Sequence, residues 1–549
     1  MVSYILIVMI AAMTLTVFAE RRQIQAPLLL AAVGIVASFI PWVPYVEVPA
    51  HVLLGVVLPP LLYSAALNFS FFSFKRRLAS ILDLGVVLVL VTAFASGIVI
   101  GWIIPEMSFA LALLLGAVIA PPDAVSAVAI GSQLGLPNRV MTILKGESLI
   151  NDAAALTLFS AAATAVTGGS HLINNVVLYF LYSASVGIIV GIALGFAVHY
   201  IRRSLGNPTM ITAIALLLPF AAYALAEELH ASGVMAVVFS GFVIGHKASD
   251  LNFAGRLQER EVWQVIDALL EAFVFAYIGL QFRHVIEDAL HDGFTLTSFC
   301  IVSGALIVTV IVVRAIWVFL TAYMANLSYR SRHERRRREQ HVMAMPEPLS
   351  WRENLVISWS GMRGVVTLAA AAGVPAATIA GNDIPGRGVV LPVAFAVAIG
   401  TLLLQGTTLP WLIRKLGVDN TDDKKHLQTQ LVHAHTVANQ AGLEELEKLV
   451  GEKRNRVDAK TAARILRLVQ RRAAAKETDL PEGNTQHRRD RINDISEMIK
   501  SVLIAERTAL IAERNSEKLD DEVMRKVLED MDIEQSFVAR RTERAATGL

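Results

Sequence analysis

Residues 145–159 read KGESLINDAAALTLF. Glu147, Ser148, Asn151 and Asp152 open a run that is otherwise apolar or small. On a helix turning 100° per residue, Glu147, Asn151, Ser148 and Asp152 sit at about 0°, 40°, 100° and 140°, so all four share one face. Ala154 and Leu158, on the opposite face, are apolar. Asp152 lies six residues into the apolar stretch that starts at 146, ~9 Å from its edge. A charge at the centre of a bilayer costs roughly 2.5–3.5 kcal/mol on insertion scales. Two carboxylates and an amide within six residues of a lipid-compatible run therefore demand a reason. A polar face that glues helices together is one. Amides and hydroxyls serve that purpose better than acids do.

The rest of the chain places this stretch in a membrane. Of 549 residues, 54% are apolar and 17% charged, against ~25% charged in a soluble domain. Lys+Arg 49 against Asp+Glu 47 is too balanced for nucleic-acid binding. A single cysteine, Cys300, excludes an intrachain disulfide framework and a multi-thiolate metal site. Long apolar stretches fill residues 1–416, and from Gly417 the sequence turns charged. The expected organisation is a transmembrane domain, 1–416, followed by a water-soluble helical tail, 417–549. In the tail, Ile499, Leu503, Leu510 and Met524 recur at helical spacing.

With ~20 apolar residues needed per crossing, thirteen stretches qualify. They are 3–19, 26–41, 48–70, 79–104, 107–132, 146–167, 172–201, 209–228, 231–247, 263–282, 295–325, 354–380 and 388–414. With the N-terminus outside, the inner loops collect Arg21, Arg22, Lys75, Arg76, Arg77, Arg139, Lys145, Arg202, Arg203, Lys247, Arg256, Arg260 and the run RSRHERRRR at 330–338. The outer loops hold Arg283 and Arg387, so the positive-inside rule supports the count and a cytoplasmic tail. The head MVSYILIV lacks positive charge, which argues against a cleaved signal peptide.

Two other stretches carry polar groups at depth. IAPPDAVSAVAI, 119–130, has consecutive prolines that remove two backbone donors and push Ala120 and Pro121 off the helical region. The alternatives are a proline kink or a full break beside Asp123, tolerated at this depth only within protein or beside water. SWSGMRGVVTLAAAAGVP, 358–375, sets Arg363 between Gly361 and Gly364. Arginine keeps its charge. It either snorkels to the surface or finds an anion, for which Glu147 is the best candidate. The two interrupted stretches are the fifth and the twelfth. Seven apart, they cross in opposite directions, the pattern of two inverted repeats whose broken helices meet at mid-membrane.

These residues resemble the bacterial sodium/proton antiporters of the monovalent cation:proton antiporter-1 family, the NhaP-like group related to animal sodium/hydrogen exchangers. GESLIND at 146–152 is similar to the family's GESLLND, and SGMRGVVTLA at 360–369 to its GLRGAVxLA. AEELHASGVMAVVFSGFVIG at 226–245 and FAYIGLQF at 275–282 resemble it too. The resemblance covers about residues 1–416. It implies an all-α membrane protein with about 13 transmembrane helices. A core of spans 4–6 and 11–13 would move like an elevator against a homodimer scaffold of spans 1–3 and 7–10. It implies that Asp152 binds either a monovalent cation or a proton, with Ser148 and the backbone at Pro122 as further ligands. Asn151 would be the amide of electroneutral members, Asp123 a partner at the break, and Glu147 with Arg363 a structural ion pair. The implied activity is Na⁺/H⁺ exchange in the inner membrane, with K⁺/H⁺ exchange as the alternative, no cofactor, and an unknown partner for the tail.

Two departures stand out. The family's Thr-Asp-Pro is Pro122-Asp123-Ala124 here, and LPPLLYSAA places Ser64 where many relatives carry glutamate. Glu227, Glu228 and Glu271 read mostly as interface acids. A cation channel and an intramembrane aspartyl protease are the rival classes. No repeated filter loop and no GxGD motif is present, nor a P-loop, GxGxxG, HExxH or GxSxG.

Overall fold

A computed structural model describes residues 2–22, 24–41, 43, 48–49, 52–168, 175–205, 207–248, 253–291, 295–336, 348–375, 377–378, 384–418, 421–452, 485–516, 518–520 and 523–532. It is helical nearly throughout. The helices are α1 Val2–Arg22, α2 Ala26–Ser38, α3 Leu58–Leu67, α4 Phe71–Leu82, α5 Leu88–Ile103, α6 Phe109–Ile119, α7 Ala124–Leu134, α8 Asn138–Thr167, α9 Val176–Ser204 and α10 Pro208–Glu228. There follow α11 Gly233–His246, α12 Phe253–His291, α13 Leu296–Arg336, α14 Trp351–Trp359, α15 Val365–Ala372, α16 Arg387–Leu416, α17 Thr421–Glu452 and α18 Thr485–Asn515.

Each of the thirteen apolar stretches falls on a helix or a run of helices. Among the described residues, seven helices are long and apolar enough to cross a membrane in one piece. Several run beyond the apolar stretch. α8 begins at Asn138, so Asp152 stands fourteen residues from the helix start and not six. Arg139 and Lys145 are helical, as are Lys75 to Arg77 on α4 and Arg256 and Arg260 on α12. Hydropathy marks only the lipid-facing part of a helix, whereas backbone hydrogen bonding carries it on through its polar end.

Two π-helical turns sit inside the bundle. Leu53–Val57 leads into α3 just ahead of Pro59 and Pro60, which lack backbone donors. Asp83–Val87 joins α4 to α5, where a Cβ on Gly85 would come within 3.0 Å of Ile150 Cβ. That glycine lets the π-turn lie directly on α8.

Arg202, expected in a loop, is buried and bound to Glu259 between α9 and α12. Of the basic run at 330–338, residues 330–336 continue α13, and 337–338 lie outside the described residues. Cys300 is free and exposed. In the tail, Leu503, Leu510 and Met524 are buried with Ala434 and Ala438, and Ile499 packs against them. Residues 453–484 and 533–549 of the expected tail lie outside the described residues. The tail grips the turn at Phe69 and the first turn of α12, which the charge pattern assigns to one side. Arg525 donates to the Phe69 carbonyl at 3.0 Å, and Asp532 accepts from Arg256 Nε at 2.8 Å and from Arg507 at 3.0 Å.

Candidate functional site

The two interrupted stretches are fully broken. Their gaps, residues 120–123 between α6 and α7 and 360–364 between α14 and α15, cross and bond to each other. Asp123 N donates to Met362 O at 2.6 Å. Three of the four helix ends created by the breaks are stabilised by side chains. Arg363 donates from Nε to Ile119 O at 2.9 Å and from Nη2 to Ala120 O at 3.3 Å, covering the carbonyl end of α6. Its Nη1 bonds the Gly361 carbonyl. Asp123 caps the amide end of α7, its Oδ1 accepting from Val125 N at 2.8 Å. Each charge faces the helix end whose dipole favours it.

α8 crosses this junction with the face that the sequence singles out. Asn151 is 0% exposed and Asp152 6%. Asn151 Nδ2 donates to Pro122 O at 2.6 Å, so the amide ties α8 to the break. Asp152 follows Asn151 and Asp123 follows Pro122, so the two acids flank this one hydrogen bond. Ser148, half-buried, lies one turn before Asp152 on the same face. Three acceptors gather here without a donor. Asn151 Oδ1 and Asp123 Oδ2 are buried and unpartnered, and among the described residues no group hydrogen-bonds the Asp152 carboxylate. Oxygens in surplus over donors suit a cation or a proton.

The pair expected between Glu147 and Arg363 is not formed. Glu147 is held by Arg314 of α13, through Nη2 at 2.9 Å and a second, shorter contact from Nη1. Arg314 Nε also donates to Ile357 O at 3.0 Å, near the carbonyl end of α14. Both arginines are 1% exposed. Arg363 is satisfied by carbonyls, because the broken helix leaves several bare beside it. Sequence reading passed over Arg314, although a lone cation midway along an apolar helix is the same signal that marked Arg363.

Other acids also find unforeseen partners. Ser64 donates to Asp267 of α12, a residue outside the expected set. Asp83 accepts from Trp317 Nε1 at 3.3 Å. Glu271 is half-buried near Asp267 and Asp123, while Glu227 and Glu228 are exposed at the end of α10. The backbone N–H of Arg363 is satisfied by Thr401 Oγ1 at 3.0 Å.

The model of the transmembrane sodium/hydrogen exchanger family matches residues 5–415. An uncharacterized Na⁺/H⁺ exchanger of Mycobacterium tuberculosis is 31% identical over 97% of this chain and 95% of its own length. The Na⁺/H⁺ antiporter ApNhaP of Aphanothece halophytica is 28% identical over 75% of this chain and 73% of its own. Among solved structures, the sodium proton antiporter MjNhaP1 of Methanocaldococcus jannaschii superposes with a TM-score of 0.57 at 19% identity, covering 76% of this chain and 98% of that one. That likeness shows the fold, a helical multi-pass membrane bundle. Motifs, crossed breaks and family model agree, and the chain belongs to the sodium/hydrogen exchanger family, membrane antiporters that exchange a cation for protons and are not enzymes.

Proposed function

We propose that the protein exchanges Na⁺ for H⁺, one for one, with Asp152 as the carrier. The observation that supports this reading is the buried Asn151–Asp152 pair at the crossing of two broken helices, with acceptor oxygens in surplus. Desolvation penalises a lone carboxylate, so Asp152 takes up either a proton or a cation, and one occupant excludes the other. Ser148, Asn151, Asp123 and the backbone at Pro122 complete the binding set. The Pro122 carbonyl already accepts from Asn151, which makes it a weaker ligand than the carboxylate. Asp123 stays ionised at the amide end of α7, and Asn151 is neutral, so a single group titrates per cycle.

Alternating access follows from the same layout. Spans 4–6 and 11–13, thirteen crossings in two inverted repeats being assumed, carry the site past a scaffold of spans 1–3 and 7–10 that forms a homodimer. The N-terminus is outside the inner membrane. Residues 417–549 form a cytoplasmic domain, in keeping with the tail's contacts to the Phe69 turn and the first turn of α12. Na⁺ is preferred to K⁺ as cargo because the two relatives described above carry sodium in their names.

In proteoliposomes, wild-type protein should move protons when Na⁺ is added, and Asp152→Asn should abolish this with the protein still folded. Full exchange in the variant would remove Asp152 from the carrier role. A valinomycin clamp tests the stoichiometry. One-for-one exchange is indifferent to membrane potential, whereas each net charge moved would contribute ~2.3 kcal/mol per 100 mV.

A further inference from the structure

One face of α12 carries a polar side chain at every turn. Glu259, Trp263, Asp267 and Glu271 follow at four-residue spacing, a rise of ~6 Å per step. The first three each meet a polar partner from another helix, and each keeps a polar atom unsatisfied. Glu259 binds Arg202 of α9, leaving Glu259 Oε1 and Arg202 Nε without partners. The Trp263 ring lies 5.0 Å from that of Tyr63 on α3, and both the indole N–H and the phenol hydroxyl are unpartnered. Asp267 accepts from Ser64, the residue after Tyr63, and its Oδ1 is unpartnered. Glu271 feels the charges of Asp267 and of Asp123 at the break.

The first two rungs are enclosed, with Tyr63, Arg202, Trp263 and Glu259 all more than nine-tenths buried. A buried polar atom left bare costs about 1–3 kcal/mol, and a cluster of donors and acceptors at this spacing is what internal water satisfies, each molecule taking two to four partners. The file starts beside Arg256 and Arg260, which the tail binds through Asp532 and Glu529. It therefore runs from the polar end of α12 towards the ion site.

We propose that this face of α12 holds a hydrated proton path, with Asp267 as its relay to the site at Asp123 and Asp152. A water gives a proton to the Asp267 carboxylate as it takes one from the water behind it, so each O–H bond formed is matched by one broken and the solution at the polar end of α12 supplies the proton that enters. Asp267 releases that proton to the next water, towards Glu271, and Asp152 receives it when the cation has left. Nothing is oxidised or consumed, and the reverse sequence returns the proton. The proposal rests on Asp152 being the carrier.

Two fluxes in proteoliposomes separate this role from a structural one. The first is Na⁺-driven proton movement. The second is tracer sodium-for-sodium exchange at equal concentrations, which needs the site and its movement but no proton. Asp267→Asn keeps an oxygen for Ser64, and Tyr63→Phe keeps the ring contact. Both variants should lose at least about tenfold in the proton-coupled flux, below the ~10²–10⁴-fold that a positioned proton-transfer group supplies, because water bypasses one lost group in part. Tracer exchange should be unchanged. Proton-coupled flux at the wild-type level in both variants, or the two fluxes falling together, would overturn the path. Asp152→Asn in the same assay should lose both fluxes. If it keeps them, the carrier reading fails whatever α12 does.

Discussion

The two broken spans solve one problem in different ways. In each, a helix stops inside the bundle and exposes bare carbonyls, and in each an arginine covers them. Arg363 serves α6 from the opposite broken span, and Arg314 serves α14 from an intact helix. They differ in their counter-charge. Arg314 also binds Glu147, whereas Arg363 has carbonyls alone, at Ile119, Ala120 and Gly361. The amide ends differ too. α7 has Asp123 as its own cap, while α15 starts at Gly364 with no capping side chain. A buried guanidinium thus accepts either a carboxylate or the negative end of a helix, and the span that carries its own acid lies beside the proposed ion site.

The largest expected effect tests which arginine owns Glu147. Glu147→Leu alone leaves Arg314 as an uncompensated buried charge and should cost roughly 3–5 kcal/mol. Adding Arg314→Met should recover most of that loss in thermal unfolding in detergent. Adding Arg363→Met instead should deepen it, because three more buried carbonyls lose their donor, at about 1–3 kcal/mol each. Recovery with Arg363→Met would reverse the pairing seen here.

How much of this was legible in sequence follows from the kind of contact. The breaks at Pro121–Pro122 and around Gly361–Gly364 are local, set by missing donors and by glycine, and they were read where they occur. The shared face of Glu147, Asn151 and Asp152 is helical periodicity, equally local. Pairing across helices is not. Arg363 stands nearer in motif logic to Glu147, yet Arg314 reaches it, because α13 packs where a sequence pattern gives no register. Arg202 was placed in water for the same reason, since its partner Glu259 lies 57 residues away. Asp267 carries no sequence signal, because Ser64 stands at the α3 position where many relatives carry glutamate and the carboxylate comes from α12.

A smaller effect probes the uncapped end of α15. A Cβ at Gly364 would come within 2.5 Å of Asp123 Cγ, a carboxyl pinned by its bond to Val125 N. Gly364→Ala should therefore cost about 1–3 kcal/mol, the usual range for overpacking, by dislodging the α7 cap. Asp123→Ala would still leave a Cβ 2.6 Å away, whereas Asp123→Gly removes all three of the nearest atoms, so the double variant with Asp123→Gly should be less unstable than the sum of the singles. Strict additivity would separate the two ends.

Asp123→Asn should change stability least and say most about the difference between the spans. Asparagine caps a helix about as well as aspartate does, and its carbonyl oxygen can keep the bond to Val125 N. The expected change is within ~0.5 kcal/mol. The charge, however, is gone. If Asp123 is a fixed anion and Asp152 the single proton carrier, Asp123→Asn slows exchange by weakening cation binding, and transport stays indifferent to an imposed potential, as in wild type. If both aspartates carry protons, two protons move per ion in wild type, and its rate and end-point shift with potential. That shift would then vanish in Asp123→Asn. The valinomycin clamp applied to both proteins distinguishes the cases: a voltage response in wild type that is lost in the variant would make Asp123 a carrier, and the acid that caps α7 would then be doing the same chemistry as the one on α8.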